Sequence, residues 1–136
     1  VDTLLVPVNY LAIVAAAVLN FVLGWVWFGP VLGKTWVRLG GGGLRPSVVS
    51  IGVGFVTALL VAYFLAHSIV FAFGFLHESG PLAGLEVGFA VWLGFVAPVT
   101  LGPVIYERKP LGLWLMNNAY WLTSLLLMGL LLAVWR

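Results

Sequence analysis

The chain has 136 residues, of which 63% belong to the AVILMFWYC class and only 7% are charged, with a formal net charge of +2. A soluble domain carries roughly 25% charged residues because its whole surface faces water, so this composition excludes an ordinary water-soluble globule, together with disordered, collagenous and nucleic-acid-binding classes. The absence of cysteine removes disulfides, thiolate metal sites and cysteine nucleophiles.

The charged residues leave four uncharged windows, 3–33, 46–77, 87–106 and 110–135. Each reaches the ~20 residues that a helix needs to cross a hydrocarbon core. Barrel strands would be shorter and would alternate apolar with polar. The expected fold is therefore an all-α integral membrane protein, a single domain of four transmembrane helices.

Helix 1 is expected over about 8–28, ending before Pro30. Its window lacks a basic flank and is too long for the h-region of a signal peptide. Small residues four apart mark contact faces between helices in lipid, and here they are Ala12, Ala16, Asn20 and Gly24. The following loop carries Lys34, Trp36, Arg38 and Arg45, suited to anionic headgroups. Its Gly40-Gly41-Gly42-Gly43 run lacks the Lys-Ser/Thr of a phosphate-binding loop and reads as a flexible linker.

Helix 2 is expected over about 47–74, with the row Ser50, Gly54, Ala58, Ala62 and Ala66. The turn His77-Glu78-Ser79-Gly80-Pro81 leads to helix 3, over about 83–103, with the row Ala90, Gly94, Pro98 and Gly102. Pro98 removes a backbone donor, so a kink is expected there. After Glu107-Arg108-Lys109-Pro110, helix 4 covers about 111–134, and its bulky row Met116, Tyr120, Ser124 and Met128 reads as an outer wall. Gly29-Pro30-Val31-Leu32 and Gly102-Pro103-Val104-Ile105 end helices 1 and 3 alike, which suggests two related helical hairpins.

Five of the six Lys/Arg residues lie in the loops after helices 1 and 3, with only Arg136 elsewhere. The positive-inside rule then places those loops in the cytoplasm and both termini outside a bacterial inner membrane. Trp25, Trp27, Trp36 and Trp114 suit the inner interface and Trp135 the outer, whereas Trp92 and Trp121 lie deeper and need a packing partner.

Polar side chains at membrane depth are functional candidates. At ~1.5 Å per residue, Asn20, Asn117 and Asn118 fall at similar depth, with Thr57 and Thr100 placed to join them. They read first as interhelical polar contacts and alternatively as the lining of a solute path. Near the outer interface, His67, His77, Glu78 and Glu86 form a second set. A hydrogen-bonded His67–Glu86 pair is the expected arrangement. Metal ligation by the four, or haem or chlorophyll ligation by His67, is the weaker alternative, because no Glu-x-x-His pair shares a helix. The serines have no His-Asp partners of the nucleophilic kind.

Asn9-Tyr10-Leu11-Ala12, Gly24-Trp25-Val26-Trp27-Phe28-Gly29-Pro30, Gly33-Lys34 and Trp36 resemble a family of small bacterial membrane proteins known only as a domain of unknown function, DUF1761. Glu107-Arg108-Lys109-Pro110-Leu111, Asn117-Asn118-Ala119-Tyr120 and Met128-Gly129 carry the later part, with Lys109 an interruption in the family's Arg-Pro-Leu. The resemblance implies a four-helix membrane protein and brings no activity or ligand.

The expected function is a non-catalytic structural or accessory membrane component, self-associating or attached to a larger complex. A small oligomeric transporter with an Asn-lined path, and a cofactor carrier using His67 and Glu86, are the alternatives. Membrane lipids are the expected contacts, with bound lipid and no other cofactor.

Overall fold

The computed structural model describes residues 8–40, 47–77 and 79–135. Every element among them is helical. Helix α1, Tyr10–Val26, starts where Asn9 Oδ1 accepts the free backbone N–H groups of Leu11 and Ala12 at 3.1 and 3.2 Å. It runs on through a π turn, Trp27–Val31, in which Leu32 N–H donates to the Trp27 carbonyl at 2.9 Å. This wider hydrogen-bond ring accommodates Pro30 inside the turn, so the helix passes the proline expected to stop it. A short helix, α2, Gly33–Arg38, follows.

Helix α3, Val48–Leu76, opens with a reciprocal cap. Ser50 N–H donates to Ser47 Oγ at 3.0 Å, and Ser47 N–H donates to Ser50 Oγ at 2.9 Å. It closes at His77, whose φ of 57° is the left-handed turn of a helix C-terminus. Helix α4, Pro81–Val91, has its proline in the first turn, where no backbone donor is needed.

The third expected helix is broken rather than kinked. After α4 come a π turn, Trp92–Val96, a 3-10 turn, Val99–Leu101, and a short helix α5, Gly102–Tyr106. The two arms, Pro81–Val96 and Val99–Tyr106, meet at a bend of 40°. Helix α6, Leu111–Val134, completes the chain.

Three segments are each long and apolar enough to cross a membrane: Tyr10–Val31, Val48–Leu76 and Leu111–Val134. The bent pair passes that test only when its arms are taken together. The outer surface is correspondingly apolar. Phe75, Phe95 and Val49 are 83%, 76% and 73% exposed, as expected of side chains whose solvent is hydrocarbon.

Helix α6 is central, packing against both α4 and α1, while α3 packs chiefly on α1. Met116, Tyr120, Ser124 and Met128 are all buried, which corrects the reading of that row as an outer wall. Bulk along this row fills the space between three neighbours. On the α1–α3 side small residues meet. Ala12, Ala16, Ala58, Ala62 and Ala66 are buried in one core, and Phe21 lies against Phe55 at 5.9 Å and beside Gly54.

The small-residue row of the broken segment is also corrected. Ala90, Gly94 and Pro98 are exposed, and a Cβ at Gly94 would meet nothing within 4 Å. The packed face is Ala83, Gly84 and Gly88. A Cβ at Gly84 would collide with the Gly129 carbonyl, and one at Gly88 would lie 2.5 Å from the Leu125 carbonyl oxygen. Helices α4 and α6 thus touch backbone to backbone, through a Gly-x-x-x-Gly pair on one and Gly129 on the other, where dispersion contacts are densest.

The Gly-Pro match between the two halves does not mark equivalent positions. Gly29-Pro30 lies inside a π turn, whereas Gly102-Pro103 begins α5. The structural correspondence is between the π turns themselves, Trp27-Phe28-Gly29-Pro30-Val31 and Trp92-Leu93-Gly94-Phe95-Val96.

Alanine for glycine inside a helix ordinarily gains about 1 kcal/mol. At Gly88 the sign is expected to reverse: Gly88→Ala forces the helices apart and lowers the melting temperature in detergent, while Gly94→Ala does not. Equal behaviour of the two variants in a thermal melt would refute the close approach.

Candidate functional site

Two separate polar clusters occupy the interior, both built on α6. In the first, Asn118 is buried and uses both ends of its amide. Its Nδ2 donates to Thr100 Oγ1 and to the Trp114 carbonyl, each at 3.0 Å, and its Oδ1 accepts Trp92 Nε1–H at 3.1 Å. Thr100 Oγ1 in turn donates to the Val96 carbonyl at 2.7 Å, and Trp114 Nε1–H donates to the Ala97 carbonyl at 3.1 Å.

These bonds converge on the break in the helix. Across it, Leu101 N–H donates to Pro98 at 3.3 Å in the tighter 3-10 pattern, instead of reaching back to Ala97. Ala97 then needs another donor, which the Trp114 indole provides. In an apolar environment a carbonyl without a partner costs several kcal/mol. The cluster therefore holds non-helical backbone inside the bundle.

In the second cluster, Asn20 Nδ2 donates to Ser124 Oγ at 2.6 Å, and Tyr120 Oη–H donates to the Asn20 carbonyl at 2.8 Å. The Tyr120 ring lies over Gly24, where a Cβ would approach its Oη to 3.1 Å, and packs edge-on to Phe28 at 5.3 Å. Trp27 Nε1–H donates to the Met116 carbonyl at 3.3 Å. The tryptophans that open the two π turns thus both donate to the same stretch of α6. Among the described residues every buried side-chain nitrogen and oxygen has a hydrogen-bond partner.

The polar set expected at one depth is therefore divided. Thr100 and Asn118 meet. Asn20 belongs to the other cluster, with Ser124 rather than Asn117 as its amide's partner. Asn117 is half-buried and outside both networks, and Thr57 is exposed on α3. Trp92, Trp114, Ser124, Gly84, Gly88 and Gly129 were not among the expected site or contact residues. The four-residue spacing of Gly84 and Gly88 was a readable signal, and the depth of Trp92 was another.

The outer set does not assemble as expected. His67 Nδ1 lies 2.8 Å from the Tyr63 carbonyl, which can only accept, so Nδ1–H is the donor. The ring lies 4.2 Å from that of Tyr63. Its polar partner is thus one turn back on its own helix and not Glu86, which is exposed. Glu78 lies outside the described residues, as does Arg45 of the first basic loop. Among the described residues no three of His, Asp and Glu come together as a metal site would require.

Between α3 and the broken segment lies a cavity of about 700 Å³, floored by Trp121 and Leu125 of α6 and walled by Leu60, Phe64, Val91 and Phe95. A second cavity of about 440 Å³ adjoins it through Ser68, Val91 and Phe95 and extends to Ala83 and Glu86. Leu60, Phe64 and Phe95 are largely exposed, so the two form one groove open along the side of the bundle.

Fold and interior together define a helical bundle with an apolar exterior, in which one interior polar cluster serves a break in a helical segment and another joins α1 to α6. The chain belongs to the family described as Protein of unknown function (DUF1761), whose model matches residues 11–133. No curated protein and no solved structure matches it.

Asn118→Leu leaves the Trp92 indole and Thr100 without their partner, so a loss of about 1–3 kcal/mol in stability is expected. Asn117→Leu should stay within about 0.5 kcal/mol of the parent. Reversible unfolding in mixed micelles measures both, and equal losses would contradict the assignment.

Proposed function

We propose that this protein is a four-span component of a bacterial cytoplasmic membrane, with both termini outside. Its role is structural or accessory and non-catalytic, exercised by self-association or within a larger membrane complex. The carrying observation is the use made of the interior polar groups. Asn20, Ser124, Thr100, Asn118 and the Trp92 and Trp114 indoles are engaged with one another or with backbone carbonyls. A solute path needs polar groups facing a common channel, whereas these are spent within two separate clusters.

The four-span count follows from taking the bent pair as one crossing, since its arms pass the length and hydropathy test together although they meet at a bend of 40°. The orientation is supported by the basic residues. Leu39, just after α2, lies against Gly112 at the start of α6. That contact brings Lys34 and Arg38 to the same end of the bundle as Arg108 and Lys109, the side that the positive-inside rule assigns to the cytoplasm.

Since the chain has no native cysteine, Val37→Cys and Ser79→Cys give clean labels. The expected outcome is modification of Ser79→Cys from the outside of intact cells and of Val37→Cys only after the membrane is opened. Labelling of both from one side ends the topology. For the role, liposomes holding the parent should leak ions and small solutes no faster than empty ones. A flux that Asn20→Leu abolishes while remaining folded would replace this reading with a transporter.

A further inference from the structure

We infer that the groove between α3 and the broken segment is a binding site for one phospholipid, with an acyl chain lying along Phe64, Phe95 and Trp121 and an ammonium-bearing headgroup at Glu86. The inference goes beyond the accessory role and rests on the membrane-spanning reading, which the cysteine labels test separately.

The groove cannot close on itself. Helix α4 is fixed to α6 by the Gly84, Gly88 and Gly129 contact, and α3 is fixed to α1 by the alanine core and the Phe21–Phe55 pair. The two walls touch each other but are each seated chiefly on a different partner, which keeps the groove between α3 and the broken segment open. An empty space of this kind forfeits the dispersion contacts of all its lining atoms, so whatever solvent adjoins the opening fills it. For an apolar bundle that solvent is hydrocarbon.

The lining selects the same occupant. Its volume, about 700 Å³ in the larger part, falls within the range of small-molecule sites, roughly 300–1,000 Å³. Of the three hydroxyls that reach it, two are already used: Ser68 Oγ donates to the Phe64 carbonyl at 2.8 Å and Thr100 Oγ1 to the Val96 carbonyl at 2.7 Å, which leaves Thr57 at the rim. The larger cavity therefore presents hydrocarbon and aromatic surface almost throughout. At the far end of the smaller cavity stands Glu86, and among the described residues neither lining contains a lysine or arginine. A carboxylate there complements an ethanolamine headgroup and repels an anionic one such as phosphatidylglycerol.

The test uses the full-length protein reconstituted in vesicles of equal phosphatidylethanolamine and phosphatidylglycerol, re-extracted in mild detergent and weighed by native mass spectrometry. The parent should keep a phosphatidylethanolamine adduct, with a several-fold preference of the order that an exposed ion pair supplies. Ala90→Trp, which fills the groove wall, should lose the adduct. Val22→Trp, with the same bulk on the exposed side of α1, should keep it. Glu86→Gln should keep an adduct but lose the headgroup preference. As a check that does not depend on those variants, phosphatidylethanolamine with brominated chains should quench the parent more than Trp121→Phe. No adduct on the parent, an adduct that survives Ala90→Trp, or equal quenching in parent and Trp121→Phe overturns the acyl-chain site. A parent that binds both lipids equally overturns the headgroup assignment. Disulfide-linked dimers of Ser68→Cys in the membrane would show a second copy seated in the groove instead.

Discussion

A backbone carbonyl released from its helix inside an apolar bundle has no water to turn to. That constraint organises this protein. The segment after α4 changes from α to π to 3-10 geometry within a few residues, around a proline that has no N–H to give. Helix α6 supplies what the segment lacks: an indole for Ala97, and an amide that holds Thr100 and Trp92 in place. The burial of Asn118 on α6 and the placement of the polar cluster around it follow from that service.

Close approach makes the service possible. Side chains as short as Asn and Thr bridge helices only when their backbones are near, and the Gly84–Gly129 and Gly88–Leu125 contacts bring α4 that near to α6. With α4 seated on α6 and α3 chiefly on α1, α3 and α4 touch each other less extensively. Tight packing on one side and an open groove on the other are two consequences of one choice of partners.

The helical class, the apolar spans and the small-residue face between α1 and α3 were legible because they depend on composition and on spacing within one segment. Asn9 and Ser47 at helix starts are local signals of the same kind. The broken segment was legible only as a kink, because Pro98 announces a lost donor but not whether neighbouring turns widen or tighten around it. The identity of each polar partner was not legible. Asn118 and Asn117 are adjacent and chemically identical, and only the rotation of α6 against its neighbours decides which one faces the break. The bulky row on α6 misled for a related reason, since bulk marks a lipid-facing wall or the centre of a bundle equally well. The small-residue row Ala90, Gly94 and Pro98 is equally regular in spacing, yet it lies on a different helical face from the contact that Gly84 and Gly88 make.

The central claim, that interior indoles and an amide close the backbone of a broken helix, is open to direct observation. Indole N–H exchange with deuterated water, followed by NMR of the protein in lipid nanodiscs, reports each tryptophan separately. Slow exchange is predicted for Trp92 and Trp114, with that of Trp92 accelerated in Asn118→Leu. Rapid exchange of both in the parent, or indifference of Trp92 to the loss of Asn118, would contradict the account.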